Sequence, residues 1–271
     1  KNKMNILTFD IEEWFLSGNN KKNPPESWHR FESRVERNTL KILELLESKG
    51  VKATFFSLGW IAENYPALIR QIAGAGHEIG YHTYYHQHFS EFTPDGFLTD
   101  LEKGIPLLED LAGKKITAFR APYFSLTGMH DWVYEILIEK GFKVSSSVKS
   151  GVTINNRIVE PRPFKWSSPA GSLVEFPLNR ISWHFIKTLY PGSGYMRVLP
   201  FRIMKKLLQN HEYLMFYFHP RDIDDRIPFS RRLSPLRNIR NLAGAGTGFI
   251  KLKALLDTFD FFSIESAIQT M

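Results

Sequence analysis

Residues 51–82 read VKATFFSLGWIAENYPALIRQIAGAGHEIGYH, and this stretch decides the fold class. Its apolar runs at 53–57 and 78–81 predict buried strands, and residues 61–75 between them have the apolar spacing of a helix. Gly76 then supplies the residue at which helices commonly end. A strand, a helix and a second strand in this order predict a parallel sheet covered by helices.

This arrangement repeats along the chain. Residues 35–49, 97–111 and 130–140 also have helical spacing closely followed by a glycine, and a further helix is predicted at 199–210. The other predicted strands are 4–9, 116–119, 142–146, 173–176, 214–218 and 259–263. No linker or internal repeat divides the chain, so we expect a single α/β domain over residues 1–271 that becomes less regular from about residue 221.

The composition is that of a soluble globular protein. The chain has 271 residues, of which 43% are hydrophobic and 23% are charged, and this excludes disorder and collagen. No apolar run approaches the roughly 18 residues of a membrane span, so we expect no transmembrane segment. No signal peptide is visible in this chain, and we expect a cytoplasmic or cell-envelope-associated protein of unknown oligomeric state.

Positive charge is in excess, with 35 Lys and Arg against 28 Asp and Glu. Such a surplus suits nucleic acid, an anionic membrane or an acidic glycan equally well. No helix-turn-helix, zinc-finger or RNA-binding signature accompanies it, so we exclude nucleic acid as a partner. Residues 221–240 contain six arginines, for which a solvated loop is the default interpretation. Recognition of a uronic acid, a sulfate or a lipid-linked phosphate is the alternative.

Four of the predicted strands are followed directly by a polar residue that catalysis can use. The runs ILTF, EIGY, ITAF and LMFYF precede Asp10, His82, Arg120 and His219. The carboxyl ends of parallel strands meet at one edge of a sheet or barrel, which is where ligands bind. The sequence therefore predicts that these four side chains belong to one site.

The sequence also indicates a metal site. The chain has no cysteine, so a metal must be held by His, Asp or Glu. His82 and His86 are four residues apart, which on a helical turn places both imidazoles on one face. Strand alternation puts Asp10 and Glu12 on one face and Glu13 on the other. One carboxylate with two neutral imidazoles leaves positions open for water, as in catalytic zinc sites, and the same set suits non-haem Fe²⁺.

Four motifs carry a resemblance to a known family. TFDIEEW, GHEIGYHTYYH, FRAPY and YFHP occur in this order between about residues 4 and 219. In these motifs the chain resembles the polysaccharide deacetylases of the NodB-homology class, carbohydrate esterase family 4, and in the stretch that begins at residue 51 it is similar to their exopolysaccharide-associated branch. The resemblance implies a distorted (β/α)7 barrel. It also implies a hydrolase that removes N-acetyl groups from amino sugars of a bacterial polysaccharide or its precursor.

The resemblance further implies roles for single residues. Asp10 matches the family's general base, and His219 matches its general acid. Arg120 matches the arginine that orients the base. Tyr123 matches the residue whose backbone N–H contributes to the oxyanion hole.

A divalent metal is implied as well, because His82 and His86 match the metal-binding histidines of the family. Zn²⁺ is the first expectation, with Co²⁺, Ni²⁺ or Fe²⁺ as alternatives. The family's usual second aspartate is replaced here by Ile11. Alternation along the strand favours Glu12 as the acidic ligand, and Glu13 stays open as the other choice.

A second departure from the family concerns the acid histidine. The family commonly places an aspartate after its fifth strand to orient this histidine, whereas residues 144–147 read VSSS. Asp222 or another acid would have to take over that role. Two alternatives therefore stay open: a same-fold amidohydrolase acting on a small non-sugar amide, and a catalytically degenerate barrel that only binds glycan.

Five residues near the expected site are predicted to contact substrate. Trp14 has a ring that could stack on a sugar, although aromatic residues near strand ends more often belong to the core. Tyr195 and Arg197 follow a Gly-Ser-Gly turn. Pro122 lies in the FRAPY motif, and Arg221 follows the YFHP motif.

Overall fold

The computed structural model describes residues 3–16, 23–154, 156–183 and 186–271. The strands in these ranges are β1 Met4–Ile11, β2 Thr54–Ser57, β3 Glu78–Tyr81, β4 Ala118–Phe119, β5 Val144–Ser145, β6 Thr153–Ile154, β7 Arg157–Ile158, β8 Phe164–Ser168, β9 Gly171–Glu175, β10 Ile181–Trp183, β11 Ile186–Leu189 and β12 Tyr213–Phe218. The helices are α1 Val35–Lys49, α2 Gly59–Asn64, α3 Pro66–Gly74, α4 Pro94–Ala112, α5 Asp131–Glu139, α6 Ser193–Val198, α7 Phe201–Leu208, α8 Pro235–Leu242, α9 Gly248–Leu256 and α10 Ile264–Ile268.

A curled sheet of eight strands in the order β12-β1-β2-β3-β4-β5-β9-β8 organises the chain. The neighbours from β12 to β9 all pair in parallel, and β8 pairs antiparallel with β9. The seven parallel strands are those predicted from the apolar runs. The α/β class and the barrel-like architecture predicted from the sequence are therefore confirmed.

A side chain links the segment after β9 to β12, at the open side of the curl, where the described strands do not pair. Asn179 follows β9, and its amide nitrogen donates to the carbonyl of Tyr213 at 3.0 Å. Its amide oxygen accepts the backbone N–H of Met215 at 2.7 Å. The amide thus satisfies two backbone groups on the free edge of β12, as a neighbouring strand would.

The two faces of the sheet form two apolar clusters, because successive side chains of a strand point to opposite sides. Leu7 and Phe55 belong to the large cluster formed with the helices. Ile6, Phe56 and Met215 belong to a smaller cluster, on the inner side of the curl. The inner side is where the site described below lies, since Asp10 alternates with Phe9 and Ile11 on β1.

The predicted strand at 259–263 is not formed as such. Phe262 makes one bridge to Ile6, beside the part of β1 that precedes its pairing with β2. Beyond that point β2 occupies the edge of β1, so the segment cannot extend its pairing. It instead leads into α10, whose Ile264 N–H donates to Thr54 Oγ1 at 2.9 Å near the amino end of β2.

The helix predicted at 61–75 is divided in two at Tyr65, because Pro66 has no N–H to continue the hydrogen bonding of α2 and begins α3 instead. The helix predicted at 35–49 has the predicted bounds. Helices α4, α5 and α7 agree with the predictions to within a few residues. Within the described ranges, no helix combines the length and the apolar character that a membrane crossing needs.

Candidate functional site

The structure brings together the four polar residues that the sequence places at strand ends. Asp10 lies at the end of β1, and His82, Arg120 and His219 directly follow β3, β4 and β12. All four side chains are buried. They lie at the carboxyl edge of neighbouring parallel strands, where the fold places ligand sites.

Arg120 reaches across the inner side of the sheet to fix Asp10. Its Nη1 donates to Asp10 Oδ1 at 2.8 Å and to Thr8 Oγ1 at 2.7 Å. Its Nη2 donates to Ser146 Oγ at 2.9 Å, and the guanidinium lies over the ring of Phe56. This fully buried guanidinium neutralises Asp10 and holds one of its carboxylate oxygens, so the other is left to face the site.

Asp222 holds the imidazole of His219. Its Oδ2 lies 2.9 Å from His219 Nδ1 and also accepts the backbone N–H of His219 at 2.8 Å. Arg197 Nε lies 3.3 Å from the other carboxylate oxygen. Burial disfavours the charged carboxylate, but the neighbouring His219 and Arg197 outweigh burial and hold the pKa of Asp222 below its usual range. A carboxylate on Nδ1 places the proton there and leaves Nε2 directed toward the other side chains of the site.

Glu12, His82 and His86 form a buried cluster of the kind that holds a metal ion. One ligand atom from each lies within 4.8 Å of the other two. His86 Nε2 is 2.5 Å from Glu12 Oε2. His82 Nδ1 is 2.7 Å from the carbonyl of Arg120, so this nitrogen donates its proton and Nε2 is the atom available to a metal.

The pKa shifts of Glu12 and His82 have the direction that metal binding requires, which is a charged carboxylate and a neutral imidazole. Burial would raise the pKa of Glu12, but the positive charges of His86, when its imidazole is protonated, and of Arg221 hold it well below its usual value. Burial lowers the pKa of His82 to about 4. Both groups therefore favour the form that binds a metal at neutral pH.

Glu13 is turned away from the cluster. Its carboxylate accepts hydrogen bonds from Ser33 Oγ and from the backbone N–H groups of Arg34 and Val35. These groups lie at the start of α1, where a negative charge is favoured by the helix dipole. The division of roles between Glu12 and Glu13 thus follows the alternation expected from the sequence.

The two histidines of HTYYH lie on a loop, and the helical turn expected for this motif is not formed. Thr83 and His86 have positive φ angles of 64° and 57°. The carbonyls of Thr83 and Tyr84 accept the first two N–H groups of α2, at 3.0 and 3.1 Å, instead of bonding along a helix of their own. The loop still places the rings of His82 and His86 with centroids 5.2 Å apart.

His219 faces both carboxylates from across the site. Its Nε2 lies 3.9 Å from Asp10 Oδ2 and 3.5 Å from Glu12 Oε1. Arg221 forms an ion pair with the same Glu12 oxygen. Each carboxylate thus forms an ion pair with a different arginine, Asp10 with Arg120 and Glu12 with Arg221. Both carboxylates also lie near Nε2 of His219.

Tyr123 lies beside the histidine loop in a conformation that few residues other than glycine adopt. Its φ is 62°, and the centroid of its ring lies 4.6 Å from that of His86. The preceding Pro122 is buried. A left-handed residue at this position turns the backbone sharply next to the cluster of Glu12, His82 and His86, as functional loops often require.

Two of the five predicted substrate contacts need correction. Trp14 is 2% exposed and packs edge-on against Phe15 and Phe31, so its ring belongs to the core. Arg197 is also buried, because its guanidinium binds Asp222 and the carbonyl oxygens of Asn241 and Arg240.

The other predicted contacts stay close to the site. Tyr195 and Arg221 line a cavity of about 590 Å³, which Ser193 and Tyr217 also line. Buried Pro122 offers little surface to a substrate. Of these residues, Tyr195 is placed best to meet a ligand, because its side chain remains partly exposed at 37%.

The sequence does not predict that Ser193 lies beside His219. Its hydroxyl oxygen lies 3.2 Å from His219 Nδ1, beside Asp222. Gly192 makes this approach feasible, since a Cβ there would lie 2.1 Å from the carbonyl of Tyr217. The only signal in the sequence is the Gly-Ser-Gly turn, which does not indicate where the serine points.

The polysaccharide deacetylase family model matches residues 2–144, which is more than half of the chain. The chain belongs to this family. A second model, described as a domain of unknown function (DUF3473), matches residues 146–269. Strands from both stretches form the one curled sheet, since β9 and β12 lie in the second stretch.

Curated deacetylases are similar to part of the chain. A peptidoglycan-N-acetylglucosamine deacetylase of Bacillus cereus is 41% identical over 85 residues, covering 31% of this chain and 31% of that protein. A peptidoglycan deacetylase of Helicobacter pylori is 32% identical over 108 residues, covering 40% and 36%. A chitin deacetylase of Pestalotiopsis is 34% identical over 94 residues, covering 34% and 32%. The chain thus spans about a third of the length of these relatives.

Solved structures share the fold. A candidate polysaccharide deacetylase from Mycobacterium smegmatis superposes with a TM-score of 0.67 at 20% identity, covering 99% of this chain and 90% of that one. A peptidoglycan N-acetylglucosamine deacetylase gives 0.56 at 20% identity, covering 98% and 88%. A family 4 pseudoenzyme from Bacillus anthracis gives 0.53 at 16% identity, covering 98% and 65%. Because an inactive protein shares this fold, the activity has to be argued from the site itself.

Proposed function

We propose that the protein is a metal-dependent hydrolase that removes N-acetyl groups from amino sugars of a bacterial polysaccharide or its precursor. The observation that carries this proposal is the placement of His219 opposite two carboxylates with different partners. One carboxylate, Asp10, is fixed by buried Arg120, and the other, Glu12, belongs to the histidine cluster. An acid, a base and a metal cluster side by side are the parts that amide hydrolysis needs.

Glu12, His82 and His86 are the residues that would hold the metal. A divalent ion bound there would act as a Lewis acid and would lower the pKa of water toward about 7. Two nitrogens and one oxygen are the donors of many catalytic zinc sites, so we propose Zn²⁺, with Co²⁺, Ni²⁺ or Fe²⁺ as alternatives.

The remaining steps belong to the side chains around the cluster. Asp10 Oδ2 accepts the proton of the attacking water, while Arg120 keeps the carboxylate oriented. The backbone N–H of Tyr123 stabilises the negative charge that develops on the acetyl oxygen. His219 Nε2 donates a proton to the departing nitrogen as its bond to carbon breaks, and Asp222 stabilises the charged imidazole. The products are acetate and a free amino sugar.

The substrate class rests on the curated relatives, which are named for peptidoglycan and chitin. Their shared chemistry is an N-acetylated hexosamine in a β-linked polymer, and we propose an acetylated amino-sugar polymer or oligosaccharide as the substrate. The exopolysaccharide-associated branch and a place in the cell envelope stay predictions.

Acetate release from N-acetylglucosamine oligomers and from peptidoglycan fragments tests this proposal. The metal-reconstituted protein is compared with Asp10→Asn and His82→Ala. We expect release by the starting protein and a fall of at least about 100-fold in both variants. Binding of metal and glycan without acetate release would instead identify a degenerate barrel. Release from a small amide but from no glycan would identify a different amidohydrolase, and failure to bind any metal would refute the hydrolase proposal.

A further inference from the structure

Helix α8 packs with its polar side chains inward and its apolar side chains outward. Asn238 and Asn241 are each 2% exposed, whereas Leu236 and Ile239 are 67% and 64% exposed. Leu242 follows at 41%. A surface helix in water normally has the opposite arrangement, so the outward apolar face of α8 needs a physical reason.

Hydrogen bonds fix α8 in this orientation. The Asn238 amide donates to the carbonyl of Ser230 at 2.8 Å and accepts the Ser230 N–H at 3.0 Å. The Asn241 amide donates to the carbonyl of Trp14 at 3.4 Å, next to the exit of β1. Rotating α8 to bury its apolar side chains would break these bonds, so the inverted arrangement is built into the fold.

The segment that contains α8 is rich in positive charge. Residues 226–256 contain five arginines and two lysines and no Asp or Glu. Arg226, Arg231, Arg232 and Arg240 are exposed. Phe229, which lies in the same segment, is 66% exposed. This segment therefore exposes apolar and cationic side chains together.

This surface continues beyond α8. The carbonyl of Arg197 accepts hydrogen bonds from Thr247 Oγ1 at 2.9 Å and from Lys251 Nζ at 2.6 Å, which brings the start of α9 to the end of α6. Exposed Val198 and Ile250 lie at these two ends. Val198 also lines the 590 Å³ cavity together with Arg240 and Arg221, so the surface reaches the rim of the site.

We propose that this surface, residues 226–250 with Val198, binds an anionic lipid bilayer, with α8 lying in the plane of the headgroups. Exposed apolar side chains flanked by arginines are the chemistry of helices that bind membrane surfaces. A second copy of the chain would present the same positive charges, and their repulsion opposes pairing of the two faces. The inference goes beyond the proposed deacetylase function, because it concerns where the protein is held and not the reaction.

Co-sedimentation of the full chain with lipid vesicles tests the proposal. We expect binding to vesicles of equal parts phosphatidylglycerol and phosphatidylcholine, weaker binding to phosphatidylcholine alone, and weaker binding in high salt. The double variant Leu236→Ser/Ile239→Ser should partition about tenfold more weakly. The matched control Met129→Ser/Ile158→Ser alters two side chains that are 81% and 70% exposed elsewhere, and it should bind as the starting protein does.

Three results would overturn the proposal. The starting protein could fail to bind the anionic vesicles, or the Leu236→Ser/Ile239→Ser variant could bind them as well as its control does. Light scattering could also show a dimer that this variant converts to a monomer, which would identify the surface as an interface between copies. Circular dichroism melting of both variants checks that each is folded, and none of these measurements depends on deacetylase activity.

Discussion

Neutralising Glu12 or Glu13, two adjacent carboxylates after β1, should have opposite consequences. Glu12→Gln removes the only carboxylate of the metal cluster, while its amide oxygen can still accept from Arg221. Glu13→Gln alters a side chain that binds the start of α1. The two variants have the same chemistry, so each is the control for the other.

The magnitudes follow from what each side chain contacts. Four-ligand zinc sites contribute about 10–16 kcal/mol, so one ligand is worth about 2.5–4 kcal/mol. Glu12→Gln should therefore weaken metal affinity by about 60- to 700-fold. Glu13→Gln keeps one acceptor oxygen for the N–H groups at the start of α1 but loses the second carboxylate oxygen, which also accepts the N–H of Arg34. It should lower the free energy of unfolding by about 1 kcal/mol and leave metal affinity unchanged.

Isothermal titration with Zn²⁺, together with the visible spectrum of the Co²⁺ form, measures the affinity of each variant. Urea unfolding of the metal-free proteins measures stability. Loss of affinity in Glu13→Gln with retention in Glu12→Gln would show that the wrong carboxylate has been assigned. Unchanged affinity in both would show that neither carboxylate binds the metal.

Three further predictions concern the acid, the base and a buried histidine. Asp222→Asn removes a charged hydrogen bond of about 1.5–3 kcal/mol from His219. We therefore expect kcat for acetate release to fall about 10- to 100-fold with little change in KM. A folded Asp222→Asn variant with full kcat would contradict this role. Arg120→Gln leaves the carboxylate of Asp10 buried without its partner, so it should lower the free energy of unfolding in urea by about 3–5 kcal/mol. The double variant Arg120→Gln/Asp10→Asn should recover part of this loss. Burial lowers the pKa of His77 from 6.5 to about 4 in the folded protein. As the pH falls, His77 is therefore protonated in the unfolded chain before it is protonated in the folded one. Up to about 3 kcal/mol of the free energy of unfolding is lost between pH 6.5 and pH 4. His77→Gln should reduce that loss, and identical pH profiles of unfolding would refute the assignment.

The parallel strands and the strand-end residues could be predicted from the sequence because both depend on local patterns. A buried parallel strand reads as a continuous apolar run, and the residue after the run must lie at the carboxyl edge. Asp10, His82, Arg120 and His219 each follow such a run. Their convergence then requires only that the strands share one sheet.

The surroundings of His219 could be predicted only in part, because the sequence offers Asp222 as one replacement for the family's aspartate but does not show that it reaches the imidazole. Asp222 is three residues away, and a short 3₁₀ helix at Pro220–Ile223 brings its carboxylate back to His219. Arg197 comes from α6, which has no sequence signal that relates it to β12. The prediction that Trp14 contacts substrate is wrong for a related reason. Whether an aromatic residue is buried depends on what packs over it, and here Phe31 packs against Trp14.

The loop of His82 and His86 shows a different limit. A spacing of four residues has the same appearance in the sequence whether the residues form a helix or a loop. Here the carbonyls of the loop cap α2, and Asp100 accepts the N–H of Tyr84 at 2.9 Å, so the segment cannot become helical. The rings of His82 and His86 lie close together, as the spacing predicts, but a loop and not a helical turn places them there.

The site joins the two stretches that the family models match separately. The stretch 2–144 supplies Asp10 and the cluster of Glu12 with its two histidines, while the stretch 146–269 supplies His219 and the Arg221 that binds Glu12. Arg120, which directly follows β4, binds both Asp10 and Ser146, so even the orientation of the proposed base depends on the second stretch. A chain ending at residue 145 would lack the acid and the β12 edge that pairs with β1. We therefore infer that residues 1–271 act as one unit, in which the second stretch completes the site that the first begins.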